Sequence, residues 1–372
     1  MASSEMHPIC PAGSLLKKCR RSRKGHVTGL SGFLGHTPGC RILAMSRIGT
    51  HSDNPSITVP GNLLLLGEYA VLEEGGLGVA LAVERRVRLR ARPSARLLIE
   101  GIWPGGGIRW TGPRDGNPVL TETVAGVTQW MEHRGLALPL PAVSIRIDSS
   151  ALFGADGRKA GFGSSASVAV GLTRLLMVVA GSGSGDGPEE SDDTVRLALE
   201  SHRRAQGGVG SGYDILSSFH GGAGAFRGGT LPSWRPWYFG KLLDLALFRG
   251  KAPVSTADSV QRYQDWKRRD PSAARELLEQ SNAAVSGFVA AATTAAALQR
   301  FAAAREIGLL LGERIGVSAR IEAPPGVDPP RSKAVGAGNE LGVCALEPSS
   351  SVSLGADLER LIIADQGLIR ER

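Results

Sequence analysis

Cysteine is scarce in this chain, with four in 372 residues, and Cys10, Cys19 and Cys40 all fall within the first 44. The rest of the chain holds Cys344 alone, so a disulfide framework is excluded there and a reducing, cytoplasmic setting is expected. The histidines and cysteines of the N-terminal stretch (His7, Cys10, Cys19, His26, His36) match no compact zinc-site spacing. Long apolar runs are also missing. The longest, Val168 to Ala180, carries Arg174 and falls short of the roughly 20 residues a helical span needs. Acid is lacking in one place: residues 1–44 hold seven Lys or Arg against Glu5, leaving 36 bases and 34 acids for the remainder. The net charge of +8 is therefore mostly a property of the tail, and the body has no nucleic-acid-binding composition. Met45 stands shortly before the first strand signal, and the tail is read as an over-extended gene start. A targeting peptide or a basic arm are the other readings.

What remains is globular: 42% hydrophobic, 21% charged and rich in glycine, with fifty. Ser56 to Leu66 reads as a buried strand interrupted by Pro60-Gly61. From Val79 to Arg92, Val87, Leu89 and Ala91 alternate with Arg88, Arg90 and Arg92, which predicts a half-exposed antiparallel strand. Further strands are expected at Leu97–Glu100 and Val143–Asp148, with a helix over Thr121–Arg134. Val168–Ala180 predicts a buried helix. Gly181–Pro188 reads as a linker, followed by a helix capped at Ser191-Asp192-Asp193 and running to Ala205. Asp270-Pro271 opens another helix, Ala-rich helical segments follow from Ser281 to Ile315, and Leu358, Leu361 and Ile362 suggest a last amphipathic helix. Strands and helices mix without βαβα alternation, which gives an α+β class. The expected organisation is an extension over 1–54, an N-terminal mixed-sheet domain over 55–235 and a C-terminal α/β sandwich domain over 236–372.

The segment Gly161-Phe162-Gly163-Ser164-Ser165-Ala166-Ser167 precedes the buried helix, with Lys159 beside it. Glycines let backbone N–H groups converge on an anion, and a helix N-terminus adds a positive dipole end. From the residues alone two readings stay open, a phosphate cradle and a glycine-rich turn that simply starts a helix. No Walker motif is present, since Gly240-Lys241 and Gly250-Lys251 continue with Leu and Ala.

Three ordered segments resemble one family. Pro60-Gly61-Asn62 through Gly67-Glu68-Tyr69-Ala70-Val71 resembles the first motif of the GHMP kinases, Gly161 to Ser167 their G-L-G-S-S-A second motif, and Lys333 to Gly338 the start of their third. Within the family the segment His202-Arg203-Arg204-Ala205-Gln206 to Gly212-Tyr213-Asp214 is similar to the H-R-x-A-Q-G-x-x-G-S-G-x-D of phosphomevalonate kinases. The resemblance implies an ATP- and Mg²⁺-dependent cytoplasmic kinase of isoprenoid precursor synthesis, monomeric or homodimeric, that turns phosphomevalonate into diphosphomevalonate. It needs no nucleic acid or membrane. Mevalonate kinase, another GHMP kinase and a non-catalytic nucleotide-binding descendant are the alternatives.

By the same resemblance Asp214 and Lys159 are catalytic, Gly161 to Ser167 hold ATP, and Ser165 and Glu200 face the metal. Glu68, Tyr69, Ser211, Gly336, Ala337 and Gly338 face the acceptor, with Ser255-Thr256 as a further substrate-side turn. Arg158, His202, Arg203 and Lys251 are supporting cations, and a helix cap is the plainer reading of Asp214. The chain departs from the pattern at Asn62, where the family carries lysine. It departs again at Asn339-Glu340-Leu341, where the third motif carries two further glycines and an aspartate.

Overall fold

Apolar side chains on both faces of a strand require cover on both sides, and all eleven residues of β1 (Ser56–Leu66) are buried. The computed structural model describes residues 54–154, 156–181, 187–238, 242–250, 255–336, 338, 340–348 and 358–371. After β1 come β2 (Leu77–Pro93), β3 (Leu98–Trp103), β4 (Gly106–Trp110), α1 (Pro118–His133), β5 (Val143–Asp148), α2 (Ser164–Val179), α3 (Pro188–Ala205) and α4 (Tyr213–His220). They are followed by β6 (Ala223–Arg227), β7 (Ser233–Pro236), β8 (Asp244–Arg249), α5 (Thr256–Arg269), α6 (Pro271–Val289) and α7 (Thr294–Ile315). The last strands are β9 (Ser332–Val335), β10 (Leu341–Leu346), β11 (Glu359–Arg360) and β12 (Ile369–Glu371).

Two sheets result. The larger runs β12-β1-β2-β5-β3-β4, with β6 and β7 branching from β2, and the smaller is β11-β8-β10-β9. Strand β2 is long enough to serve two neighbours: its Arg88–Pro93 half pairs β5, and its Leu77–Leu81 half pairs β6. The β1–β2 register slips at Pro60/Gly61, the turn-type pair seen in the sequence. Val87, Leu89 and Ala91 are buried while Arg88, Arg90 and Arg92 are exposed, as the alternation predicts. Helix α2 lies close on this sheet, since a Cβ at Gly171 would sit 2.4 Å from Leu89 Cδ1. All four strands of the smaller sheet pair antiparallel. The mixed, segregated strands and helices are those of an α+β fold.

The 235/236 division falls at the last residue of β7 (Ser233–Pro236), just before the chain leaves the larger sheet for β8. Residues 369–371 nevertheless return to pair with β1, and residues 52–372 form one compact unit.

Three local expectations change. Helix α3 starts at Pro188, not at Ser191: Gly187 is the N-cap, and Glu189 and Glu190 form the acidic first turn. Proline at the first helical position has its φ preset and needs no acceptor for its missing N–H, so it outcompetes the later Ser/Asp cap. Leu358–Ile362 does not form a helix. Glu359 and Arg360 pair with Leu247 and Ala246 of β8 instead, because so short an apolar run fits either period and the sheet edge supplies the backbone partners. Ser255 is the N-cap of α5, its Oγ accepting from Asp258 N at 3.3 Å, so Ser255-Thr256 is a helix start rather than a substrate-side turn. The Ala-rich stretch divides into α6 and α7, and Asp270 caps α6 by accepting from Ala273 N. The tail over 1–44, residues 182–186 of the linker, Lys251, Ala337 and Asn339 lie outside the described residues.

Candidate active site

The Gly/Ser loop rests directly on the bulge of β1. Asn62 N donates to Phe162 O at 3.0 Å, and the Asn62 side-chain amide donates to Gly163 O at 3.2 Å and to Ser218 Oγ of α4 at 3.0 Å. Gly163, with φ 60, is the N-cap of α2, and a Cβ there would lie 2.2 Å from Asn62 Oδ1, so the position admits no side chain. Ser167 completes the floor, donating to Pro60 O at 2.8 Å and lying 3.3 Å from Ser218 Oγ. Phe162, Ala166 and Ser167 are buried in that floor, whereas Ser164 and Ser165 are half-buried in the first turn of α2, whose amides lack helical acceptors. Asn62 is 2% exposed, so it supports the loop from below.

Next to this loop lies a second helix start. Gly212, with φ 88, is the N-cap of α4, and Asp214 sits in its first turn with Oδ1 accepting from Ile215 N at 2.9 Å. Asp214 Oδ2 lies 3.4 Å from His202 Nδ1 of α3, and His202 Nε2 lies 3.2 Å from Ser165 Oγ. One buried imidazole thus spans the gap between the phosphate-type loop and the carboxylate, where two positive helix ends face the same space.

Arg203 does not enter that space. Its guanidinium donates to the carbonyls of Gly210, Ser211, Gly229 and Thr230 at 2.9 to 3.2 Å, which staples two loops together. Burial lowers its pKa, with the Asp214 charge opposing. Ser211 is 7% exposed and held by that staple.

A cleft opens beside the corner after β1, lined among others by Glu68, Tyr69, Arg305, Lys333, Gly336 and Gly338. Lys333 of β9 is 3% exposed; its ammonium pairs with the Glu68 carboxylate and donates to Leu65 O at 3.1 Å and Ala334 O at 2.8 Å. Tyr69 holds φ 61, the one positive φ outside glycine among the described residues, and its ring meets Tyr263 at 5.4 Å. Such backbone geometry is costly and persists where surroundings enforce it. Burial pushes the Tyr69 hydroxyl up to about 12, with Ser259 opposing and the Glu68 charge adding. Tyr213 is pushed higher still by burial, then by the Asp214 and Glu68 charges, so both carboxylates act on one locality.

The sequence model described as GHMP kinases N terminal domain matches residues 122–222, a segment that contains the Gly/Ser loop, His202 and Asp214. A search of curated proteins gives no match. Among solved structures the chain is similar to a Lin0012 protein from Listeria innocua, with TM-score 0.71 and 19% identity over 86% of this chain and 100% of that one. It is also similar to Streptococcus pneumoniae phosphomevalonate kinase in complex with phosphomevalonate and AMPPNP, with TM-score 0.62 and 17% identity over 85% and 99%. L. major mevalonate kinase in complex with R-mevalonate gives TM-score 0.58 and 16% identity over 85% and 97%. Residues 122–222 thus match the GHMP kinase N-terminal domain, and the likeness to these solved structures is one of fold.

The remaining candidates are placed unevenly around this site. Lys159 is exposed beside the loop, its backbone bridged to Phe153, and Arg158 is exposed with its amide donating to Asp156. Gly161 is exposed at φ 81. Glu200 is exposed on the outer face of α3 and pairs with Arg196 at 3.5 Å, whereas it is His202 that lies against Ser165. Among the described residues no three His, Cys, Asp or Glu side chains cluster as a metal cage. That donor set still fits Mg²⁺, which usually keeps waters and takes one or two carboxylates plus substrate phosphates. Ser165 and Asp214 would hold it, and it would neutralise charge between the phosphates. The His202 bridge and the Lys333–Glu68 pair were not legible from the sequence, since both join segments far apart in the chain. The Lys333 position within the third motif was the nearest signal.

Proposed function

We propose that the protein is an ATP-dependent kinase that phosphorylates phosphomevalonate to diphosphomevalonate, with Mg²⁺ as cofactor. The observation that carries the reading is the convergence of Ser165, at the N-terminus of α2, and Asp214, at the N-terminus of α4, on either side of His202. First-turn amides and the αL glycines 161 and 163 cradle the ATP phosphates. The cleft at Glu68, Tyr69 and Gly336 receives the acceptor. An oxygen of the acceptor phosphate attacks the γ-phosphorus as the bond to ADP breaks. That oxygen is largely ionised near neutral pH, because the second pKa of a phosphate monoester is about 6. Positioning and cations then matter more than a base. In this reading Lys159, exposed beside the loop, supplies the cation that bridges the two anions, and Asp214 orients the acceptor.

A second reading follows from where the other cations go. Arg203 is spent on four carbonyls and Lys333 on Glu68, which leaves few free cations for a doubly charged acceptor. An alcohol such as mevalonate needs fewer, and would use Asp214 as general base. Purified protein assayed for ADP release with phosphomevalonate and mevalonate side by side separates the two. For a phosphate acceptor, Lys159→Ala lowers kcat at least as far as Asp214→Asn, on the order of 100-fold for a transition-state contact. Loss of activity in Asp214→Asn with a mild Lys159→Ala assigns an alcohol acceptor.

A further inference from the structure

His202 is 3% exposed, although it sits in the last turn of a helix whose neighbouring charged residues face solvent or staple loops. A buried histidine needs partners for both ring nitrogens, and Ser165 at Nε2 and Asp214 beside Nδ1 belong to the two halves of the proposed centre, with the Gln206 side-chain amide also 3.3 Å from Nε2. In the neutral ring the nitrogen that faces the acceptor-only carboxylate of Asp214, Nδ1, carries the proton, and Nε2 keeps its lone pair. Nδ1 lies 3.4 Å from Asp214 Oδ2, and the other carboxylate oxygen accepts from Ile215 N–H. Nε2 also accepts from the Ser165 hydroxyl, which turns the lone pairs of that hydroxyl away from the imidazole toward the loop.

We propose that His202 is a positioning residue that sets Ser165 and Asp214 in one frame through its two nitrogens, each nitrogen serving a different step. The Nε2 side orients Ser165 for the nucleotide with its cation; the Nδ1 side orients Asp214 for the acceptor. The proposal rests on the kinase reading above. It makes the two functions separable by amides that reproduce one nitrogen each. In Asn the side-chain nitrogen superposes on Nδ1 and cannot reach Ser165; in Gln the terminal amide reaches the Nε2 position and leaves Asp214 unheld.

Steady-state kinetics and direct binding of a fluorescent ATP analogue in the absence of acceptor test this in full-length protein. His202→Asn is expected to raise the KM for ATP and weaken analogue binding about tenfold, with a smaller change in kcat; His202→Gln is expected to lower kcat about tenfold, with analogue binding changed less. Ser165→Ala, which leaves the His202–Asp214 contact untouched, should reproduce the nucleotide defect of His202→Asn. Circular dichroism and melting curves identify any variant that fails to fold, in which case Ser165→Ala carries the comparison. Equal losses in kcat and nucleotide affinity for Asn and Gln, tracking their melting temperatures, overturn the proposal and leave His202 a packing residue. If wild-type protein binds the analogue but turns over no acceptor, the kinase reading fails. The analogue affinities of Asn, Gln and Ser165→Ala still decide whether His202 orients Ser165.

Discussion

Tyr69 concentrates several unfavourable choices in one residue. It takes a left-handed backbone that bulky side chains avoid, its ring lies tilted against Tyr263, and its hydroxyl lies near the Glu68 charge. Its pKa is raised from 10.0 to about 12, chiefly by burial. Below pH 10 the hydroxyl is protonated in both folded and unfolded chains. Between about 10 and 12 the unfolded chain has released the proton and the folded one retains it, so stability falls as pH rises through that window. Urea melts from pH 9 to 12 should show the midpoint dropping in wild-type protein and dropping less in Tyr69→Phe. An identical slope in both would remove Tyr69 as a source. Tyr213, Tyr263 and Cys344 are also raised by burial, so part of the alkaline loss persists in the variant.

At the level of elements, one side chain joins three of them. Asn62 belongs to β1, its amide reaches the N-cap of α2, and it also reaches Ser218 in α4. The resemblance to a lysine-bearing motif suggests a lost phosphate contact at this position, but a residue 2% exposed acts on the loop through its backbone. Asn62→Ala removes one of several partners from Ser218 and from the Gly163 carbonyl, at a cost of about 1 kcal/mol. It should lower the midpoint of denaturant unfolding by that amount and weaken ATP binding together. Unchanged stability with weakened ATP binding would instead place Asn62 on the phosphates. The same elements show what a sequence can convey. Strands β1, β2 and β5 and helices α1, α2 and α6 carry enough turns of period or alternation to be read directly. Strands β7, β9, β11 and β12 span two to four residues each, too few to have a period, and they exist because a neighbouring strand offers its edge. The loop and Asp214 were legible because their residue types are unusual for packing. The role of His202 was not, because nothing local to α3 marks which of its polar residues turns inward.

Across the whole molecule, the two sheets meet through the corner after β1. Lys333 comes from β9 of the smaller sheet, and its ammonium is committed to Glu68 and Leu65 at the end of β1 in the larger one. A lysine 3% exposed needs that carboxylate as its counter-charge, and the cleft that would take the acceptor has both residues in its wall. Breaking the pair from either side leaves a buried charge and should cost about 3–5 kcal/mol, while replacing both by apolar residues of similar volume should recover most of it. Lys333→Met and Glu68→Gln are therefore expected to be strongly destabilised, and Lys333→Met/Glu68→Leu to be close to wild type in denaturant midpoint. Hydrogen exchange should quicken at both 64–69 and 332–335 in the single variants, since the two segments are held by one contact, and slow again in the double. The nucleotide loop rests on Asn62 and Ser167 instead, so the folded double variant should keep its ATP affinity and lose affinity for the acceptor. Single variants whose costs add in the double would mean that the two side chains are held independently, and that the sheets are joined by packing alone.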